Sequence, residues 1–312
     1  MVSLLLDVFA KVRCSHGHVG IFTTSDGQFT TIVNSSNVTG SVFHPTINNS
    51  GTVAFFEDDP KANVYGIFTG NGGPITTIAD SSGLFKRFLD GFAINSSGTV
   101  AFNASPNEVK FGIFTSNGGP ISTIIDSASS SSPADLFALP VINDNNTVAF
   151  LGEGVFLTTG NRTDFGIFTS NGGPLTTVAD SSGPFSYVFA PSINNSGTVT
   201  FIAGLQDGST GIFTGPNPST DKVIKEGDSL FGSTVTRIQL ENPSNNRVLN
   251  NSGQLVFEAS LADGTSGIFC ADPVTVTVPE PSSTIGVLGF GVLGVGHLLR
   301  RKPNKQKSIN LG

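Results

Sequence analysis

The sequence predicts an all-β chain built from about six tandem units, and three observations carry that prediction. Gly-Ile-Phe recurs at Gly20, Gly66, Gly112, Gly166, Gly211 and Gly267, at spacings of 46, 46, 54, 45 and 56 residues. Only 12% of the residues are charged, while Gly, Ser, Thr and Asn are abundant, a profile of short strands joined by tight turns. No stretch before residue 284 carries apolar residues at a helical period for long enough to form a helix.

Taken in order, the first unit opens on a strand near Leu4 to Phe9 and lacks the turn that opens the others. In the second, Asn48-Asn-Ser-Gly51 turns the chain into the strand Thr52-Val-Ala-Phe55, with Gly51 supplying a left-handed backbone. A variable loop leads to the strand Gly66-Ile-Phe-Thr69. Asn71-Gly-Gly-Pro74 then turns into Ile75-Thr-Thr-Ile-Ala79, rich in β-branched residues. A fourth, weaker strand is expected over Phe88 to Ile94, matched by Tyr187 to Ile193. The opening turn returns at Asn95 to Gly98, Asn194 to Gly197 and Asn250 to Gly253. It also returns at Asn143 to Asn146, where Asn, the next most tolerant residue, replaces Gly. The last unit reaches Gly267-Ile-Phe-Cys270 and a possible strand over Val274 to Val278. The 26 Phe residues recur at strand positions and read as core. A period near 46 with three clear strands and one weak one per unit predicts a β-propeller of about six blades, whose closure removes sheet edges. A β-solenoid or open repeat array is the alternative.

The β-repeat body spans residues 1–276 and a Pro/Ser linker spans 277–283. The linker holds Val278, Pro279, Glu280 and Pro281. Residues 284–299 are a glycine-rich apolar run, short for a bilayer core of about 30 Å that takes about 20 helical residues, with flanking turns making up the difference. In the tail, 300–312, Arg300, Arg301, Lys302, Lys305 and Lys307 follow with no acid after Glu280, which orients the C-terminus to the cytoplasm. This order resembles a PEP-CTERM sorting signal. The resemblance implies an exported bacterial protein, held in the inner membrane by a transmembrane helix and then processed by an exosortase-type transpeptidase. It implies that Val278, Pro279, Glu280 and Pro281 form the sorting motif and that Arg300, Arg301 and Lys302 set the membrane orientation. Met1-Val-Ser-Leu-Leu-Leu6 is cut by Asp7 and has no basic start, so it is no secretory signal, and the N-terminus is expected to be incomplete. The body also resembles bacterial surface proteins with tandem Asn-x-x-Gly-x-Val-Ala-Phe repeats. Asn48 to Phe55 and Asn95 to Phe102 match fully, Asn194 to Phe201 has Thr200 for Ala, and Asn250 to Phe257 reads Gln-Leu-Val-Phe. That resemblance implies a surface habitat and supplies no catalytic residues.

The formal charge is −7, and setting aside the five cations beyond Leu299 leaves 11 bases against 23 acids, or −12. Such a body repels nucleic acid and anionic lipid, so neither is an expected partner of the body. Cys14-Ser-His16-Gly-His18 lacks the fourth ligand of a structural zinc site, and no metal or other cofactor is expected. Asp80, Asp126 and Asp180 each fall 14 residues after the glycine of Gly-Ile-Phe. They could line a channel or hold calcium, but bonding the backbone of the following turn is the preferred reading. Asp207-Gly208 and Asp263-Gly264 read as hairpin turns, and Asn-x-Ser/Thr triplets as turn chemistry rather than glycosylation sites. Cys14 and Cys270 could pair across the first and last units if their Cα atoms lie within about 7 Å.

No Ser stands in a Gly-x-Ser-x-Gly elbow. The expected function is that of a non-enzymatic surface or matrix protein, structural or binding, in exopolysaccharide or biofilm. Binding is expected through the variable loops Glu57 to Val64, Asn103 to Lys110 and Ser127 to Asp135. The rival is an extracellular polysaccharide-active hydrolase, whose carboxylates must stand about 5–9.5 Å apart. Glu153 and Glu226 are acids outside the repeat pattern, with no reason in the sequence to meet.

Overall fold

Each Gly-Ile-Phe segment enters a strand of a separate antiparallel sheet, and six such sheets follow one another along the chain. The structure is a computed structural model, described for residues 7–10, 20–34, 38–107, 110–127, 136–154, 164–240 and 248–272. The first sheet holds β1 (Asp7–Ala10), β2 (Ile21–Ser25) and β3 (Gln28–Val33). The second holds β4 (Ser41–Ile47), β5 (Val53–Asp59), β6 (Val64–Gly70) and β7 (Thr76–Asp80). The third holds β8 (Arg87–Ile94), β9 (Val100–Ser105), β10 (Gly112–Ser116) and β11 (Ser122–Asp126). The fourth holds β12 (Leu136–Ile142), β13 (Val148–Gly154), β14 (Asp164–Ser170) and β15 (Thr176–Asp180). The fifth holds β16 (Phe185–Ile193), β17 (Val199–Leu205), β18 (Thr210–Phe213) and β19 (Lys222–Lys225). The sixth holds β20 (Ser229–Leu230), β21 (Ser233–Gln239), β22 (Leu255–Leu261) and β23 (Ser266–Ala271).

Strands adjacent in sequence are neighbours in every sheet, so each sheet is a plain meander. This corrects the phase of the repeat. The strand expected to close each unit, such as β8 or β16, opens the next sheet instead. The reason is the Asn-x-x-Gly turn, where Asn95 donates its N–H to the Thr99 carbonyl at 3.0 Å and so clamps β8 to β9 as a hairpin. Nor is that strand weak, since β8 runs for 8 residues and β16 for 9. The opening strand is β1, and residues 1–6 lie outside the described residues, as do Cys14, His16, His18, Val274 to Val278 and the apolar run 284–299. Among the described residues no helix is long and apolar enough to cross a membrane.

The Gly-Ile-Phe repeat has a mechanical cause. Ile67 faces Ala79 while Phe68 faces Thr77, so Ile78 is an extra residue, and both Ile78 and Ala79 turn inward. The bulge presses the partner strand onto the glycine: a Cβ on Gly66 would lie 2.3 Å from the Ala79 carbonyl oxygen, and one on Gly112 2.6 Å from that of Ile125. A second bulge bends the opening strands, where His44, Gly91, Leu139 and Ala190 all have positive φ at a shift of register.

The core lies between consecutive sheets. One face of each sheet, carrying residues such as Ala54 and Ile67, packs against Phe92, Ile94 and Phe102 of the next. Ala101 and Ile113 repeat the contact against Phe137, Ile142 and Phe150. Edge-on Phe pairs, such as Phe85 and Phe102 at 5.6 Å, fill the layer, each fully buried ring contributing about 1.5–3 kcal/mol.

Candidate functional site

The turn asparagines form a belt that joins the sheets. Asn95 Oδ1 accepts the N–H groups of Ser97 at 3.2 Å and Thr99 at 2.9 Å, closing its own turn. Its Nδ2 crosses to the next sheet and donates to the Asn143 carbonyl at 3.1 Å. Asn48 reaches Asn95 in the same way at 2.8 Å, Asn143 reaches Asn194 at 3.0 Å, and Asn194 reaches Asn250 at 3.5 Å. An amide serves here because it accepts on one atom and donates on the other, leaving neither unsatisfied in a buried position. The following residue makes a second row: Ser96 N–H donates to Asp144 Oδ1 at 2.8 Å, Asp144 N–H to Asn195 Oδ1 at 2.9 Å, and Asn195 N–H to Asn251 Oδ1 at 2.9 Å. Asn49, Ser96, Asp144, Asn195 and Asn251, from five successive sheets, line a cavity of about 250 Å³. Sequence reasoning took the asparagines as turn formers and overlooked the second row. Its signal was legible, since every residue after the turn asparagine is Asn, Ser or Asp.

Two of the three repeated aspartates, Asp80 and Asp180, do what turns require. Asp80 Oδ1 accepts from Ser82 N–H at 2.9 Å and Ser82 Oγ at 2.6 Å, and Asp180 accepts from the same groups of Ser182 at 3.0 and 2.5 Å. Among the described residues no group of three or more His, Cys, Asp or Glu side chains could hold a metal. Asp207 and Asp263 close hairpins onto Ser209 and Thr265. The Ser209 hydroxyl and then its amide hold the Asp207 carboxyl below its ordinary range. The stability this adds is present above the unfolded pKa and is lost as pH falls through the folded value. Thermal melts should therefore show the gap between wild type and Asp207→Asn narrowing as pH drops through the carboxylate range.

Two of the loops expected to bind lie partly in strands. Glu57 and Asp59 lie in β5 rather than in a loop. Burial raises the Glu57 carboxyl, an effect opposed by the Gly40 N–H that donates to its Oε1 at 3.3 Å, while a bond from the Thr39 hydroxyl lowers Asp59. Asn103 is buried in β9 and donates to the Phe137 carbonyl. Residues 128–135 lie outside the described residues.

A second, open cleft of about 540 Å³ lies toward the other end of β16. Ile193 and Asn195 line the asparagine cavity, whereas Tyr187 and Phe189 line this one. Glu153 at the end of β13, Glu226 after β19 and Arg237 on β21 complete it, so the two acids with no apparent reason to meet share one cleft. Tyr187 and Phe189, two residues apart on one strand, are both exposed. The Tyr187 ring lies across β17 over Gly204, where a Cβ would come within 2.2 Å of its Cε1. Its hydroxyl is hydrogen-bonded to Thr210 Oγ1 at 2.9 Å, and Glu226 Oε2 accepts the Thr210 N–H at 3.0 Å. The ring is thus pinned at both ends with an outer face left open. Aromatic faces bordered by carboxylates and a guanidinium suit a ligand that presents both C–H faces and hydroxyl groups.

A family model described as a family of unknown function, DUF7453, matches residues 85–285. The PEP-CTERM protein-sorting motif matches residues 277–302, the stretch that holds Val278 to Pro281 and Arg300 to Lys302. No curated protein matches the chain. Among solved structures, an oligogalacturonate lyase in complex with manganese is 10% identical, covering 87% of this chain and 82% of its own, with a TM-score of 0.50. An uncharacterised protein from Listeria monocytogenes EGD-e is 10% identical over 86% of this chain and 76% of its own, with a TM-score of 0.47. SapL1 lectin in complex with α-methyl fucoside is 11% identical over 86% and 89%, with a TM-score of 0.37. At such identity the lyase likeness speaks to the all-β fold alone.

Proposed function

From the premise that this chain belongs to the DUF7453 family of unknown function and carries a PEP-CTERM sorting motif, we propose that it is a non-enzymatic polysaccharide-binding protein of the cell surface or extracellular matrix. The motif makes it an exported protein sorted by an exosortase. In this reading Val278, Pro279, Glu280 and Pro281 are read by the transpeptidase, 284–299 is the transmembrane helix that holds the chain in the inner membrane, and Arg300, Arg301 and Lys302 set its orientation. The body is a propeller of six blades, a reading supported by six successive meanders, five of which bring their asparagine turns to one cavity. After processing it serves in exopolysaccharide or biofilm.

The observation that carries the binding role is the pinned Tyr187 ring beside Phe189, Glu153, Glu226 and Arg237. Tyr187 supplies a flat face for a sugar ring, and the charged groups bond its hydroxyls. Hydrolysis is the second reading, favoured by Glu153 and Glu226 lining the same cleft. Against it, one oxygen of Glu226 holds the Thr210 backbone and Glu153 is exposed.

Titration of the full chain with soluble exopolysaccharide from an exosortase-bearing host, alongside an assay for reducing ends, separates the two. Binding should weaken about tenfold or more in Tyr187→Ala, the loss of one stacked ring, and polymer length should not change. An unaltered affinity in Tyr187→Ala would sink the cleft assignment. Reducing ends released by the wild type but not by Glu153→Gln or Glu226→Gln would replace binding with hydrolysis.

A further inference from the structure

Asparagine is followed by glycine at three places, Asn71-Gly72, Asn117-Gly118 and Asn171-Gly172, each in the turn that enters the last strand of its sheet. That pair is the one most open to loss of the side-chain amide, because a residue without Cβ lets its own nitrogen reach the preceding Cγ. All three turns are exposed, so water reaches them. The belt asparagines are not placed for this reaction. Asn48, Asn95, Asn143 and Asn194 are 1–4% exposed, hold both amide atoms in hydrogen bonds, and precede Asn, Ser or Asp.

Backbone shape does not distinguish the three turns. The glycine has a φ of +96° in the second sheet and +94° in the third and fourth. In each turn the asparagine Oδ1 accepts the N–H of the residue two places on, Gly73, Gly119 or Gly173, at 3.3 Å. That bond curls the side chain over the turn and points a donor at the oxygen that gains charge when Cγ is attacked. The electrophile is thus prepared alike three times.

The nucleophile is not. Gly118 donates its N–H to Ser116 Oγ at 3.1 Å and Gly172 to Ser170 Oγ at 3.1 Å, and each hydroxyl in turn donates to the carbonyl of Gly119 or Gly173. The second sheet has Gly70 at that register, opposite Val53 as Ser116 is opposite Val100 and Ser170 opposite Val148. With no hydroxyl there, the Gly72 N–H has no hydrogen-bond partner among the described residues. In the other two turns a hydrogen bond must break before the nitrogen can turn toward Cγ.

We propose that Asn71 is a modification site, converting itself to aspartate and isoaspartate in the folded protein with water as the only co-reactant, while Asn117 and Asn171 are shielded by their serines. The Gly72 nitrogen loses its proton and bonds to Asn71 Cγ, the Cγ–Nδ2 bond breaks, and ammonia leaves with that proton. Water then opens the cyclic imide at either carbonyl. Each event adds one negative charge, and the isoaspartate product adds one carbon to the main chain. The turn rests on the first sheet, where a Cβ on Gly72 would stand 2.6 Å from Thr30 Cγ2, so the longer product presses on that contact.

The test is peptide mapping by mass spectrometry of the full folded chain held at mildly alkaline pH, with enzymatic isoaspartyl methylation as a second readout. Conversion at Asn71 should run about three- to tenfold faster than at Asn117 or Asn171, the effect of one hydrogen bond. Gly70→Ser should slow Asn71 to the rate of the other two, and Ser116→Gly and Ser170→Gly should speed their neighbours by a similar factor. In guanidinium chloride the three rates should converge. Equal rates in the folded chain overturn the proposal, as does a ratio that survives denaturation, which would trace it to local sequence rather than to the fold. If Gly70→Ser does not fold, because its Cβ would stand 3.2 Å from Ile32 Cγ2, the two serine variants decide. Unchanged rates at Asn117 and Asn171 in those variants overturn the proposal.

Discussion

Asn95→Ala is expected to lower the unfolding free energy by about 3–4 kcal/mol and the melting temperature by about 10 °C. The side chain is 1% exposed and satisfies groups on both sides of a sheet junction. Its loss strands the N–H groups of Ser97 and Thr99 in its own turn, together with the Asn143 carbonyl and Asn146 Oδ1 in the next sheet. Each buried group left unpaired costs about 1–3 kcal/mol, and the partly exposed ones recover some of that from water. Asn250→Ala supplies the contrast. Asn250 is exposed and, among the described residues, its side chain bonds only its own turn and Gln254, so its loss should cost about 1 kcal/mol. Urea unfolding of both variants checks the difference. Equal costs would mean that the crossing amide adds nothing and that the asparagines matter for their turns alone.

The same contrast marks the limit of what the sequence made legible. The strand and turn identities could be read because Asn-x-x-Gly, Asn-Gly-Gly-Pro and Gly-Ile-Phe each act within a few residues. The PEP-CTERM motif was legible for the same reason, as a contiguous order of proline, apolar run and arginine cluster. The phase of the repeat was not, because β8 could close one sheet or open the next until its hairpin with β9 decided the matter. Asn48 bonds Asn95 across one whole repeat, a contact that exists only once the sheets stack. The cleft lay furthest from local pattern. Glu153 and Glu226 come from different sheets, and the Tyr187 platform depends on Gly204, which nothing in the sequence sets apart from other glycines. Tyr187 itself gave a faint signal, as one of two tyrosines in a chain whose core rings are phenylalanine.

Gly66→Ala should destabilise the protein by about 3 kcal/mol, at the upper end for an overpacked site. The clash is with main chain: the new Cβ would stand 2.3 Å from the Ala79 carbonyl oxygen and 2.7 Å from Asp80 Cα. No rotamer change relieves such a contact, so β7 must move away from β6 and open the bulge that turns Ile78 and Ala79 into the core. The corresponding change in the last unit discriminates between two arrangements. A Cβ on Gly267 would meet only Phe269 Cε2, at 4.0 Å, because among the described residues β23 is the edge of its sheet. With a bare edge, Gly267→Ala should fall within about 0.5 kcal/mol of wild type, like other surface changes. If the possible strand over Val274 to Val278 pairs with β23, its carbonyl would crowd Gly267 as Ala79 crowds Gly66, and the cost should rise to about 3 kcal/mol. Thermal unfolding of the two variants side by side decides which holds. The costly outcome would leave no residue between a paired strand and Pro279, so the folded edge of the last sheet would govern how closely the sorting enzyme can approach its motif.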